Sequence, residues 1–206
     1  MDELEQWSMD LTKPGAWIDG DYRYALWRPL IQIRRAGNSL GKTFDLFRDI
    51  LPQAPKVALW VMLNPSTADQ VKPDATIHRV TNFSTTWGCT AFIVVNLFAI
   101  RSKDPAVLHT PGIDKVGPRN DEAIGLIARL ATIDRVIVAW GAWGHLFPAR
   151  VAEVVGLLDR PLTALGVTKQ GQPLHPLYLP GDLLPTPWAT SGAGRSDSAR
   201  GARTRT

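Results

Sequence analysis

At 206 residues, with 45% hydrophobic and 20% charged side chains, the chain has the composition of an ordinary globule with one sizeable core. Its single cysteine, Cys89, excludes an internal disulfide and any cysteine-built cluster or zinc site within this chain. No apolar run is long enough to span a bilayer, and the acidic start (Asp2, Glu3, Glu5) is unlike a signal peptide, so a cytoplasmic location is expected.

The formal net charge of +4 is unevenly placed. Residues 191–206 carry Arg195, Arg200, Arg203 and Arg205 against Asp197, a formal +3 that leaves +1 for the rest. The body is nearly neutral, and the basic signal belongs to a Gly/Ser/Arg tail over 189–206. Such a segment cannot bury enough apolar surface to order itself, although it can hold phosphates non-specifically.

Residues 1–20 show no periodicity, although Trp7 and Trp17 are expected to pack. Tyr22 to Arg28 alternates and stops at Pro29, which predicts an antiparallel or edge strand. A second short strand is expected at 30–34, before the turn-like Ala36-Gly37-Asn38-Ser39. Four apolar runs follow at 57–63, 91–97, 135–140 and 162–167. Runs of this kind are the habit of parallel strands covered on both faces.

Helical spacing lies between them. Ile77, Val80, Phe83 and Trp87 form one face, with Asp74 in the first turn. Asn120 is the expected N-cap of a helix carrying Ile124, Ile127, Leu130 and Ala131. Val151, Val154, Val155 and Leu158 mark a third. The expectation is a single three-layer α/β domain over 1–188, with its core at about 22–180. It has a central, mainly parallel four-stranded sheet and a small N-terminal antiparallel element.

Polar and aromatic residues collect where these strands end, the place where open α/β sheets hold ligands. Asn64-Pro65-Ser66-Thr67-Ala68-Asp69 leaves the first parallel strand abruptly, and the Asn64 amide can orient a water or a substrate group, or simply tie down the turn. Asn96 ends the neighbouring strand. Two carboxamides at adjacent strand ends can read the edge of a planar heterocycle. Asp69 and Asp74 are the nearby carboxylates. Trp140 and Trp143 end the third strand and can stack on a base. His175, before Pro176, can stabilise negative charge on a leaving group.

Ala36 to Thr43 matches a relaxed phosphate-loop pattern. It lacks a buried strand before it and a strand-end Asp for magnesium, and is read as a chance match. His78, His109 and His145 show no metal-ligand spacing. Neither a cofactor nor a metal is expected.

The order of these segments resembles the DUF1643 family. The resemblance is carried by Leu63 to Asp69, Asp74 to Arg79, Val94 to Ala99, Val116 to Asp121, Ala139-Trp140-Gly141 and His175 to Leu179. It runs from about residue 22 to 180. A more distant resemblance is to the uracil-DNA glycosylase superfamily. There a strand-end Asn-Pro or Asp-Pro holds the hydrolytic water, a second strand-end Asn reads the base, and a late His-Pro segment stabilises the departing base.

That second resemblance implies a uracil-DNA-glycosylase-like fold. Asn64 and His175 would be catalytic, with Asp69 and Asp74 as carboxylates beside them. Asn96, Pro65, Ser66, Trp140, Trp143 and Tyr178 would contact the substrate. Ser66 stands where glycine usually follows the proline, and Leu177-Tyr178 where Ser-Pro usually follows. These departures imply a modified pyrimidine other than uracil in DNA, a bulky one of the phage type included. The alternatives are a non-catalytic nucleic-acid or nucleotide-binding module and an enzyme acting on free modified nucleotides.

Overall fold

The computed structural model describes residues 9–30, 55–66 and 75–189. Asp69, Asp74, all but the first residue of the short strand expected at 30–34, the pattern at Ala36 to Thr43 and residues 190–206 lie outside them.

The strands are β1 (Gly15–Asp19), β2 (Tyr22–Pro29), β3 (Val57–Met62), β4 (Ala91–Asn96), β5 (Ile133–Val138), β6 (Leu162–Ala164) and β7 (Thr186–Pro187). The helices are α1 (Ala75–Thr86), α2 (Asn120–Ala128) and α3 (Pro148–Leu158). All seven strands form one sheet in the order β1-β2-β4-β3-β5-β6-β7. The four central strands, β4, β3, β5 and β6, run parallel. Antiparallel strands close both sides, β1 and β2 on one and β7 on the other.

One expectation, a four-stranded sheet with a small element beside it, is corrected: the sheet has seven strands. The N-terminal hairpin is no separate element: β2 pairs with β4 from Leu26↔Val94 to Pro29↔Ala91 and extends the sheet. The antiparallel alternative expected for Tyr22 to Arg28 holds, since β2 runs antiparallel to β4 and to β1 on its other side. Pro29 sits at the terminal pair of that ladder, where its missing N–H costs least.

Every residue of β3 and β4 is buried. Alternation along them separates two cores. Leu59, Val61, Ile93 and Val95 cluster with Ile124 and Ile127 of α2 and Val151, Val154 and Leu158 of α3. Ala58, Trp60, Met62, Phe92 and Val94 cluster with Ile77, Val80 and Phe83 of α1. The sheet is therefore sandwiched, with α1 on one face and α2 and α3 on the other. Each fully buried large aliphatic or aromatic side chain contributes about 1.5–3 kcal/mol relative to its exposed state.

Trp60 is the centre of the α1 side. It stacks on Trp87 at 5.5 Å and donates from its indole to Ser84 Oγ at 3.0 Å. The Ile77, Val80, Phe83 face is as the spacing predicts. At α2 the outcome differs: the N-cap is Arg119, and Asn120 is a fully buried residue of the first turn. Leu130 lies beyond the helix and is partly exposed.

Candidate functional site

Chain order makes β3 the turning point of the sheet. The connection through α1 places β4 on one side of it, and the connection through α2 places β5 on the other. Ligand crevices in open α/β sheets lie at the carboxyl ends of strands around such a reversal. A cavity of about 280 Å³ opens there, with Asn64, Ser66, Asn96, Trp140, Trp143 and His175 in its wall. Met62 is level with Asn96 in the β3–β4 ladder, so the two carboxamides come from adjacent strand ends.

The two asparagines are held differently. Asn64 Nδ2 donates to the Pro65 carbonyl at 3.3 Å and to the Ser102 carbonyl at 3.1 Å. Two acceptors on the nitrogen fix the orientation of the amide and turn Oδ1 away as an acceptor. Asn96 is 2% exposed, and its Nδ2 has no hydrogen-bond partner among the described residues. A buried donor left unmet costs about 1–3 kcal/mol, so an unmet one in a cavity wall points to a ligand.

Asn96 is gripped from behind. Asn120 Nδ2, at the start of α2, donates to the carbonyls of Asn96 at 3.1 Å and Leu97 at 3.2 Å. Arg150 of α3 adds a bond from Nε to Leu97 at 2.7 Å and is itself paired with Asp121 at 2.5 Å and Glu153 at 3.1 Å. These groups clamp the backbone at the end of β4 from the α2/α3 face. Phe92 and Val94, which share the side-chain direction of Asn96, pack on the α1 face.

His175 caps the 3-10 turn Pro176–Tyr178, accepting from Leu177 N–H at Nδ1 over 3.3 Å. The neutral ring then carries its proton on Nε2. Arg79 of α1 pins that turn by donating to the Pro176 carbonyl at 3.4 Å and to the Leu179 carbonyl. Gly141, at φ +78, faces it across the cavity end: a Cβ there would sit 3.4 Å from His175 Cβ.

Trp140 is a fixed wall. Its indole N–H donates to Gln172 Oε1 at 2.9 Å, and its ring meets Trp188 edge-on at 5.3 Å. Trp143 is 38% exposed and lies 5.7 Å from the His109 ring. Pro65 is buried outside the cavity wall and serves the turn through its carbonyl, which accepts from Ser102 N–H at 2.9 Å. Tyr178 also stands outside the wall and is 92% exposed. Among the described residues no group of three or more His, Cys, Asp or Glu side chains is placed to hold a metal.

Sequence reasoning missed the cations of the wall, Arg23 of β2 and Lys103. It also missed Asn120, Arg150 and Arg79, which act from behind. One signal was present for Arg23, a charged residue among the apolar neighbours of a strand that is buried along most of its length.

Neither the curated proteins nor the solved structures contain a match to this chain. A family model described as a protein of unknown function, DUF1643, matches residues 44–177. That span holds the four parallel strands, the three helices and every cavity residue discussed above except Arg23. The chain belongs to the DUF1643 family.

Proposed function

We propose that this protein is a DNA glycosylase-like hydrolase that cleaves the N-glycosidic bond of a modified pyrimidine. The observation that carries the reading is the pair of carboxamides in one cavity. Asn64 presents an acceptor, and Asn96 holds an unmet buried donor beside it. The four parallel strands in the order β4-β3-β5-β6, with the site at the β3 reversal, support the distant resemblance to the uracil-DNA glycosylase superfamily.

In this reading Asn96 reads the base edge, and Asn64 Oδ1 accepts a hydrogen bond from the attacking water. The bond from C1′ to the base nitrogen breaks with its electron pair leaving on the base. His175 Nε2–H then donates to the carbonyl oxygen on which that charge accumulates. Asp69 or Asp74 is the candidate acceptor of the water's proton. Trp140 is the flat wall against which the extruded base rests, and Trp143 and Tyr178 are the aromatic groups available to the strand.

The cavity volume narrows the choice of base. At about 280 Å³ it lies just below the range of roughly 300–1,000 Å³ usual for small-molecule sites. A base with a small substituent fits that space better than a glycosylated one.

The test is base release from oligonucleotides carrying uracil, 5-hydroxymethylcytosine or glucosylated 5-hydroxymethylcytosine, scored as abasic sites. Release from one of them, with Asn64→Ala slower by about a hundredfold or more, is expected. If no oligonucleotide loses its base, the hydrolase reading fails. A second reading, turnover of free modified nucleotides, is favoured by the presence of Arg23 inside the same cavity. It predicts base release from mononucleotides and none from strands.

A further inference from the structure

Two cationic side chains share the cavity wall with the base-reading groups. Arg23 is 3% exposed, and its guanidinium keeps its charge at any physiological pH. Lys103 comes from the exposed loop that follows β4. The two are brought together by backbone pairing. Arg23 N–H donates to the Ala99 carbonyl at 2.9 Å and Arg101 N–H to the Asp21 carbonyl at 2.9 Å. Ser102, next to Lys103, is tied to the turn at Asn64 through the Pro65 carbonyl.

No aspartate or glutamate stands in the wall among the described residues. Asp104, beside Lys103, caps the 3-10 turn Pro105–His109 by accepting from Ala106 N–H at 2.9 Å.

We infer that the cavity takes a phosphate-bearing ligand, with Arg23 and Lys103 reading the phosphate of the same nucleotide whose heterocycle meets Asn96. The reasoning rests on the place and fixed charge of the guanidinium, whatever protein groups also touch it. Arg23 and Lys103 line the same cavity as Asn96, so a ligand whose heterocycle meets Asn96 has two positive charges within the same wall. An arginine offers a planar fork that suits a phosphate. Lys103, on the open side, adds a mobile second charge. The inference deepens the nucleotide reading above, on which it rests only for the class of ligand.

The phosphate has two sources, a free nucleotide or a DNA strand. A buried Arg23 favours a phosphate that enters with its base, but either source engages the same groups.

The experiment is calorimetric binding to the full-length protein at low salt. Its probes are inorganic phosphate, deoxycytidine, deoxycytidine 5′-monophosphate and a single-stranded pentanucleotide of the same base. The monophosphate should bind about tenfold tighter than the nucleoside, the worth of one charge-assisted contact. Inorganic phosphate should compete with it, and Lys103→Gln, on an exposed loop, should remove much of the preference. Arg23→Lys, which keeps the charge, should retain part of it, and Arg23→Gln none.

Tighter binding of the mononucleotide than of the pentamer assigns a free nucleotide, and the reverse order assigns a strand phosphate. Equal affinity of nucleoside and monophosphate, or no binding of any phosphate-bearing probe, overturns the inference. Because binding is read apart from turnover, the two proposals fail separately. A phosphate preference without base release sinks only the hydrolase, and base release without a phosphate preference sinks only this inference.

Discussion

Replacing Asn120 by alanine tests whether the groups behind the cavity hold it in shape. Asn120 Nδ2 is the donor to two carbonyls at the end of β4, those of Asn96 and Leu97. Leu97 keeps a partner after the change, because Arg150 Nε bonds the same oxygen at 2.7 Å. The Asn96 carbonyl loses the side-chain bond it accepts at 3.1 Å. Two neutral hydrogen bonds contribute about 1 kcal/mol each, so the loss comes to about 2 kcal/mol. For a domain of this size each kcal/mol shifts the melting temperature by roughly 2–4 °C, which gives a fall of about 4–8 °C.

Thermal unfolding followed by circular dichroism measures this directly. Asn120→Asp is the informative companion, since it keeps the shape but turns a donor into an acceptor facing two carbonyls, and it should melt lower still. A melting temperature for Asn120→Ala within about 1 °C of the parent would refute the clamp. Affinity for deoxycytidine 5′-monophosphate supplies the second readout. If the clamp positions Asn96, affinity falls at temperatures where the variant is fully folded, and an unchanged affinity would reduce Asn120 to a purely structural role.

Three further perturbations address other parts of the molecule. A Cβ at residue 144 would collide with the indole of Trp140 and the side chain of Gln172, so Gly144→Ala should cost about 1–3 kcal/mol and alter tryptophan fluorescence. An unchanged spectrum would show that the wall yields. Arg79→Met keeps the stem packed on Phe83 but frees the carbonyls of Pro176 and Leu179, at a cost of about 1–3 kcal/mol by denaturant titration. It should also broaden the His175 ring resonances, and sharp, unshifted ones would show that the turn needs no pin.

Burial pushes the Cys89 thiol above its ordinary range, so alkylation of the native protein at pH 8 should be much slower than that of the unfolded chain. The folded state holds the proton where the unfolded thiol gives it up. The associated stability is therefore fully present below the unfolded thiol's pKa and is lost as pH rises through the folded one. Equal alkylation rates for the two states would contradict that burial.

Much of the sheet was legible because its strands are buried on both faces. A run such as Val57 to Leu63 needs no tertiary information to be read as a central strand, and Ile77, Val80 and Phe83 fix one helix face by spacing alone. The meeting of Asn64 and Asn96 was legible for the same reason, since consecutive strands of alternating α/β chains tend to be neighbours.

What stayed hidden depends on contacts distant in sequence. Asn120 has the composition of an N-cap, and only its approach to the Asn96 and Leu97 carbonyls, across 24 and 23 residues, assigns it elsewhere. The pin from Arg79 to Leu179 spans 100 residues. The span of β6 and the pairing of β7 were equally hidden, because strands of three and two residues carry too little pattern to read.

The N-terminal hairpin joins the questions of fold and function. Its residues lie before the family match at 44–177, and by sequence it reads as an addition to a parallel core. Yet β2 takes up the exposed edge of β4, which would otherwise present unpaired backbone groups beside the cavity. The pairing that protects the edge also carries Arg23 to the carboxyl end of β4. Because β2 runs antiparallel to β4, its first residues meet the end of β4 where Asn96 lies. An antiparallel neighbour is thus the one arrangement in which the start of a strand supplies a side chain to the ligand end of a parallel sheet. The same geometry that caps the fold places a permanent cation in the cavity wall with the carboxamides of Asn64 and Asn96, so the hairpin belongs to the cavity as much as to the sheet.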